Sequence, residues 1–174
     1  MKVVYRDLSA YGYKASPSGL MQALLFSPGF AVTLTHRIAF FLYPRNVLTR
    51  VIAKILWRLN IIASGCYISP TSKIGAGLYL PHPTGIVLGD GVVIGENATI
   101  YQGVTMGVAK RGRSSDYPQV GNDVVIFASA ILIGGVKIGD GARVGAQSLV
   151  LSDVQPGSTV VGSPARLVKR HPRQ

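Results

Sequence analysis

Residues 120–150 read VGNDVVIFASAILIGGVKIGDGARVGAQSLV. Val120, Ile126, Leu132, Ile138, Val144 and Val150 stand six apart, and every one is aliphatic. Four positions after each of the first five lies a small or β-branched residue: Val124, Ala130, Val136, Ala142 and Ser148. Glycine often follows the aliphatic residue directly, as at Gly121, Gly139 and Gly145. A six-residue period rich in β-branched residues predicts short strands joined by tight turns, the aliphatic side chain pointing inward and glycine easing the bend. Stacked coils of this kind bury one continuous aliphatic column. A β-sandwich alternates with period two and turns every ~8–12 residues, so an unbroken run of sixes argues against it. Upstream the period continues through Leu88, Ile94, Ile100 and Met106, and before a two-residue shift through Ile68, Ile74, Leu80 and Ile86. A mainly β, parallel β-helix is predicted over residues 61–165, with roughly 18 residues per coil.

The rest of the composition agrees with one domain. The chain has 174 residues, 48% apolar and 14% charged, which excludes disorder as its main state. A single cysteine, Cys66, excludes an intramolecular disulfide framework and a cysteine zinc site. The opening residues lack the apolar core of a secretion signal, and the most apolar stretch, Leu20 to Tyr43, is cut by Pro28-Gly29 and His36-Arg37, so no transmembrane helix is expected. The net charge of +11 is uneven. Residues 1–60 carry eight bases and one acid, residues 108–118 three bases and one acid, and the last fourteen four bases and no acid. Basic ends on a neutral body suit anionic partners such as phosphate groups, acidic polymers or a membrane surface; no nucleic-acid partner is expected.

Residues 1–17 show no clean pattern, and Ser16-Pro17-Ser18-Gly19 reads as a break. Helices are predicted over 18–27, 29–43 and 45–60, making residues 1–60 an N-terminal helical region. The last helix sets Val47, Val51, Ile55 and Leu59 on one stripe and Arg50, Lys54 and Arg58 on another. Packing on the solenoid or a sister subunit is the preferred reading; a membrane-surface helix is the alternative. Residues 108–118 break the six-residue rule and read as a loop on one face. Pro164-Ala165-Arg166 reads as a cap on the open end, followed by a basic tail over 166–174.

The six-residue pattern resembles that of the hexapeptide-repeat, left-handed β-helix acyltransferases. Three phrases narrow the likeness to the serine acetyltransferase branch: Pro81-His82-Pro83-Thr84-Gly85-Ile86-Val87-Leu88-Gly89, Gln102-Gly103-Val104-Thr105-Met106-Gly107 and Val161-Gly162-Ser163-Pro164-Ala165-Arg166. In character the chain looks closest to the branch's exopolysaccharide O-acetyltransferases. The resemblance implies acetyl-CoA as donor, no metal, and His82 as the general base. Acetyl transfer to an alcohol needs a group that takes the hydroxyl proton and later protonates the departing thiolate, which neutral imidazole does well. It also implies that Gly107, Ala128, Arg143 and Ala146 line the coenzyme A groove, with Arg166 and Lys169 reaching the nucleotide phosphates.

The departures fall on the acceptor side. Where the branch carries two aspartates, an arginine and a histidine, this chain has Tyr67, Pro81, Asp116 and Tyr117. A free amino acid brings a carboxylate and an ammonium that need charged partners, so serine is disfavoured as acceptor and a saccharide is expected, of an exopolysaccharide or its precursor. Tyr67 and Tyr117 would offer aromatic faces to a sugar ring, while Lys110, Arg111 and Arg113 would attract an acidic acceptor. Serine O-acetyltransferase is the alternative, and a non-catalytic solenoid acting as an assembly partner the third reading. The resemblance further implies a homotrimer, pairing into a hexamer through residues 1–60, in the cytoplasm or at the inner membrane surface.

Overall fold

The computed structural model describes residues 2–109 and 116–170. Four helices come first among these: α1 (Lys2–Ala10), α2 (Pro17–Phe26), α3 (Pro28–Leu42) and α4 (Val47–Ser64). The break expected over residues 1–17 is instead a helix and a cap. Ser16 accepts a hydrogen bond from the Gly19 amide, and Pro17 opens α2. What hid α1 is its buried face, which consists of Asp7 and Leu8; a buried carboxylate erases the hydropathy pattern. Helix α4 runs on to Ser64, where Gly65, at φ +70°, ends it in the left-handed conformation.

Beyond Gly65 the chain winds into a left-handed β-helix with three parallel faces. The first face stacks β1 (Tyr67–Ile68), β3 (Val87–Leu88), β6 (Thr105–Gly107), β9 (Ile131–Ile133) and β12 (Leu149–Val150). The second stacks β2 (Lys73–Ile74), β4 (Val93–Ile94), β7 (Gln119–Val120) and β10 (Lys137–Ile138). On the third lie β5 (Thr99–Ile100), β8 (Val125–Ile126), β11 (Arg143–Val144) and β13 (Ser158–Val161), and β14 (Arg166–Arg170) turns back antiparallel along β13. Pairing joins residues one coil apart, Leu88 with Met106 and Leu132 with Val150. Met106, Ile126, Leu132 and Val144 have no exposure, and the residues four positions on, among them Val124, Ala130 and Ala142, are equally buried. Each large aliphatic side chain withdrawn this way stabilises the coil by about 1.5–3 kcal/mol.

One expectation shifts. Ile86 does not occupy the face position that follows Leu80; Leu88 does, pairing with Ile68, and Ile86 falls into the second buried column that holds Val92, Ala98 and Val104. Two extra residues therefore sit in the corner between the third and first faces.

The helices close the lower end of the solenoid through a buried ion pair. Asp7 accepts from the Gly77 and Leu78 amides at 2.8 and 3.2 Å. Arg37 donates to both Asp7 oxygens, at 2.9 and 3.1 Å, and to the Ile74 and Gly75 carbonyls. Nearby, His36 Nε2 lies 3.2 Å from the Ser72 hydroxyl, which donates to Ser69 O. Burial, with Arg37 adjoining, pushes the His36 imidazole down to about 4, so it packs neutral. No single described helix is long and apolar enough to cross a membrane; α2 and α3 meet that measure only as a pair, bent by 114°.

Candidate functional site

Backbone pairing locates the two-residue insertion. The Ile100 amide donates to Tyr79 O at 3.0 Å, and the Gly103 amide donates to Thr84 O at 2.9 Å. The lower coil thus spends five residues where the upper spends three, and the surplus lies in Pro81-His82-Pro83. This corner bulges outward and His82 is exposed at its tip. The Thr84 amide closes the bulge on His82 O at 2.8 Å. Among the described residues, no group hydrogen-bonds the imidazole.

The bulge is anchored from below by the helices. Leu80, two residues before His82, donates its amide to Tyr11 Oη at 2.9 Å. Burial holds the Tyr11 phenol up to about 12, and Thr33, 3.4 Å away, in turn donates to Gly29 O. Gly29 packs directly on the Leu80 carbonyl, where a Cβ would stand 2.0 Å from the oxygen. Only glycine fits that approach.

Of the residues expected to line the donor groove, Ala128 and Ala146 lie on the same corner, whereas Gly107 ends the first face at its opposite edge. A ladder climbs from Thr84 through the Gly103 amide, from Gln102 O to the Ser129 amide at 2.8 Å, and from Ala128 O to the Gln147 amide at 2.9 Å. Ala128 and Ala146 therefore stand one coil apart on the edge that carries His82 at its foot. Tyr101 and Phe127 stack beside them, 5.3 Å apart at 17°. Arg143 projects from the third face between Val125 and Thr159, and Gly107 ends β6 opposite Ile133. Arg166, exposed, opens β14, where its guanidinium donates to Ala165 O at 3.1 Å. Lys169 lies within β14. Lys110, Arg111 and Arg113 lie outside the described residues.

Tyr67 and Tyr117 meet at a different corner, between the first and second faces. The Tyr117 ring covers Gly89 and Gly91, where added Cβ atoms would stand 2.4 and 2.3 Å from it. Between those glycines Asp90 accepts from the Ser69 hydroxyl at 2.6 Å. The Tyr67 phenol is pushed up by burial first, then by the charges of Asp90 and Tyr117. Trp57 of α4 meets Tyr67 edge-on, with ring centroids 5.0 Å apart. Around Tyr67 a cleft of about 290 Å³ opens, lined among others by Lys54, Trp57, Ser69 and Asp90. Sequence reasoning missed Lys54, Trp57 and Asp90. The one available signal was Asp90, the first acid after Asp7. Among the described residues, no group of three His, Cys, Asp or Glu side chains is gathered for a metal.

Comparison with known proteins bears on the acceptor. The family described as "Bacterial transferase hexapeptide (six repeats)" matches residues 117–152. A serine acetyltransferase of Synechococcus elongatus is 37% identical over 156 residues, which is 90% of this chain and 63% of that protein, so this chain spans less than two thirds of that relative. A serine acetyltransferase of Helicobacter pylori is 38% identical over 149 residues, 86% of each chain. Among solved structures, soybean serine acetyltransferase complexed with serine superposes with a TM-score of 0.86 at 38% identity, covering 96% of this chain and 68% of that one. The Brucella abortus serine acetyltransferase in complex with coenzyme A gives 0.88 at 30%, covering 99% and 69%. These likenesses overturn the expected saccharide acceptor and the exopolysaccharide character. That expectation counted the charged groups lost at four positions and could not see that Lys54 and Asp90, thirty-six residues apart, line one cleft.

Proposed function

Because the chain belongs to the serine acetyltransferase family of hexapeptide-repeat transferases, we propose that it transfers the acetyl group of acetyl-CoA to the hydroxyl of L-serine. The likeness to the Helicobacter enzyme over 86% of both chains carries this reading. The cleft supports it, since Asp90 and Lys54 offer one charge of each sign to a zwitterion. These two would then do the work of the charged groups that Tyr67, Pro81, Asp116 and Tyr117 replace.

In this reading His82 takes the hydroxyl proton as the serine oxygen attacks the thioester carbonyl. The tetrahedral intermediate then collapses, breaking the carbon–sulfur bond, and the imidazolium returns its proton to the coenzyme A thiolate. Ala128 and Ala146 line the pantetheine path toward His82, with Arg143 beside it, Arg166 and Lys169 toward the nucleotide, and Gly107 at the far edge of the first face. Both substrates are cytoplasmic metabolites, which suits a cytoplasmic enzyme.

Within one chain His82 and the cleft belong to different corners of the prism, so a single chain cannot bring base and acceptor together. A trimer resolves this: His82 of one subunit faces the cleft of its neighbour. The test is direct. Purified protein given acetyl-CoA and L-serine should release free thiol and form O-acetylserine, and light scattering should give three times the 18.5 kDa chain mass. Trimers mixed from inactive His82→Ala and Asp90→Ala subunits should regain activity, because some sites then receive both intact residues. Coenzyme A binding without any serine acetylation would overturn the acceptor; mixed trimers that stay inactive would overturn the shared site.

A further inference from the structure

Helix α4 leaves an unusual surface. Of its eighteen residues only Ala53 is buried. Val47, Val51, Ile55, Leu59 and Ile62 form one exposed line, from 77% exposure at Val47 to 74% at Ile62. Arg50, Lys54 and Arg58 run beside it, one turn apart and exposed. On α2 Leu25 and Phe26 add exposed apolar area at 68% and 73%. Between Asp7 and Asp90 the sequence holds no acidic residue at all. The helical layer therefore presents apolar side chains and cations, with Asp7 its sole carboxylate, and that one is buried against Arg37.

Two partners fit an apolar helix face, and the charges choose between them. If two copies met α4 to α4, the Arg50 and Arg58 of each would face their own kind, with no exposed carboxylate in either helical layer to offset them. An anionic bilayer supplies both requirements, acyl chains for the apolar line and headgroup charge for the cations. The helix would lie in the interface plane, since no described helix is long and apolar enough to cross.

We propose that α4 docks the protein on an anionic lipid surface. Purified protein is floated with vesicles of phosphatidylcholine alone and with vesicles containing an equal part of phosphatidylglycerol. It should float with the anionic vesicles only, and added salt should weaken the binding. Arg50→Glu with Arg58→Glu should lower partition on the order of 10²-fold, whereas Arg50→Lys with Arg58→Lys should keep it. Ile55→Ser with Leu59→Ser should also lower it, with the far-UV circular dichroism spectrum and the oligomer mass unchanged. Failure to float, equal flotation with both vesicles, or indifference to charge reversal would overturn the proposal. So would a lower oligomer mass in Ile55→Ser with Leu59→Ser, which would put α4 between copies of this chain.

Discussion

At the scale of single residues, the two best placed are opposites in exposure. His82 stands exposed on a bulge whose stem is pinned by Tyr11 and Gly29. As the proposed base it has a defined test: His82→Ala should lower turnover by roughly 10²–10⁴-fold while coenzyme A affinity by calorimetry stays level. Wild-type turnover in the variant would end its assignment. Asp7 is 1% exposed and bound to Arg37 and two amides. Asp7→Asn would leave the Arg37 guanidinium buried without its counter-charge, and breaking one side of such a pair costs about 3–5 kcal/mol. Urea unfolding should show the loss; a change near zero would mean that water reaches Arg37.

Among the elements, α4 depends on its own ends as well as on its packing. Asn46 accepts from the Thr49 amide at 2.9 Å, and the Thr49 hydroxyl receives the Asn46 amide at 3.1 Å. With just one buried residue in the helix, that reciprocal cap matters more than it would in a core helix. Asn46→Ala should cost about 1 kcal/mol, and its effect should appear as faster hydrogen exchange over the first turn of α4, with the solenoid strands unchanged. Uniform loss of protection across both parts would show instead that helix and solenoid unfold as one unit. The solenoid holds itself differently, since every strand inside a face is paired on both sides by its neighbours and only the end strands of each face have a single partner.

Over the whole molecule, the junction of helices and solenoid carries a pH dependence. His36 titrates near 4 when folded and near 6.5 when unfolded. Between those values the unfolded chain binds a proton that the native one refuses, so stability should fall as pH drops from about 6.5 toward 4 and level off below. The full span amounts to about 3 kcal/mol. Urea midpoints at about pH 7 and about pH 5 should differ less in His36→Gln than in the parent protein. Equal slopes would mean that His36 charges without opening the junction.

What the amino-acid order determined by itself was the coil. A side chain that must be buried every sixth residue writes its period directly into the sequence, so Val120 to Val150 carry the fold without reference to anything distant. His82 was named from the resemblance and not from the period; backbone pairing between Tyr79, Thr84, Ile100 and Gly103 adds that the two-residue surplus lies at its corner. Tertiary structure alone decided the rest. Asp7 reads as an ordinary surface acid until α3 brings Arg37 against it, and the helix that contains it is hidden for that reason. The cleft at Tyr67 is made of Lys54 and Trp57 from a helix and Ser69 and Asp90 from two successive coils. Burial periodicity is local along the chain, whereas the pairing of charges depends on which distant segments the winding sets side by side.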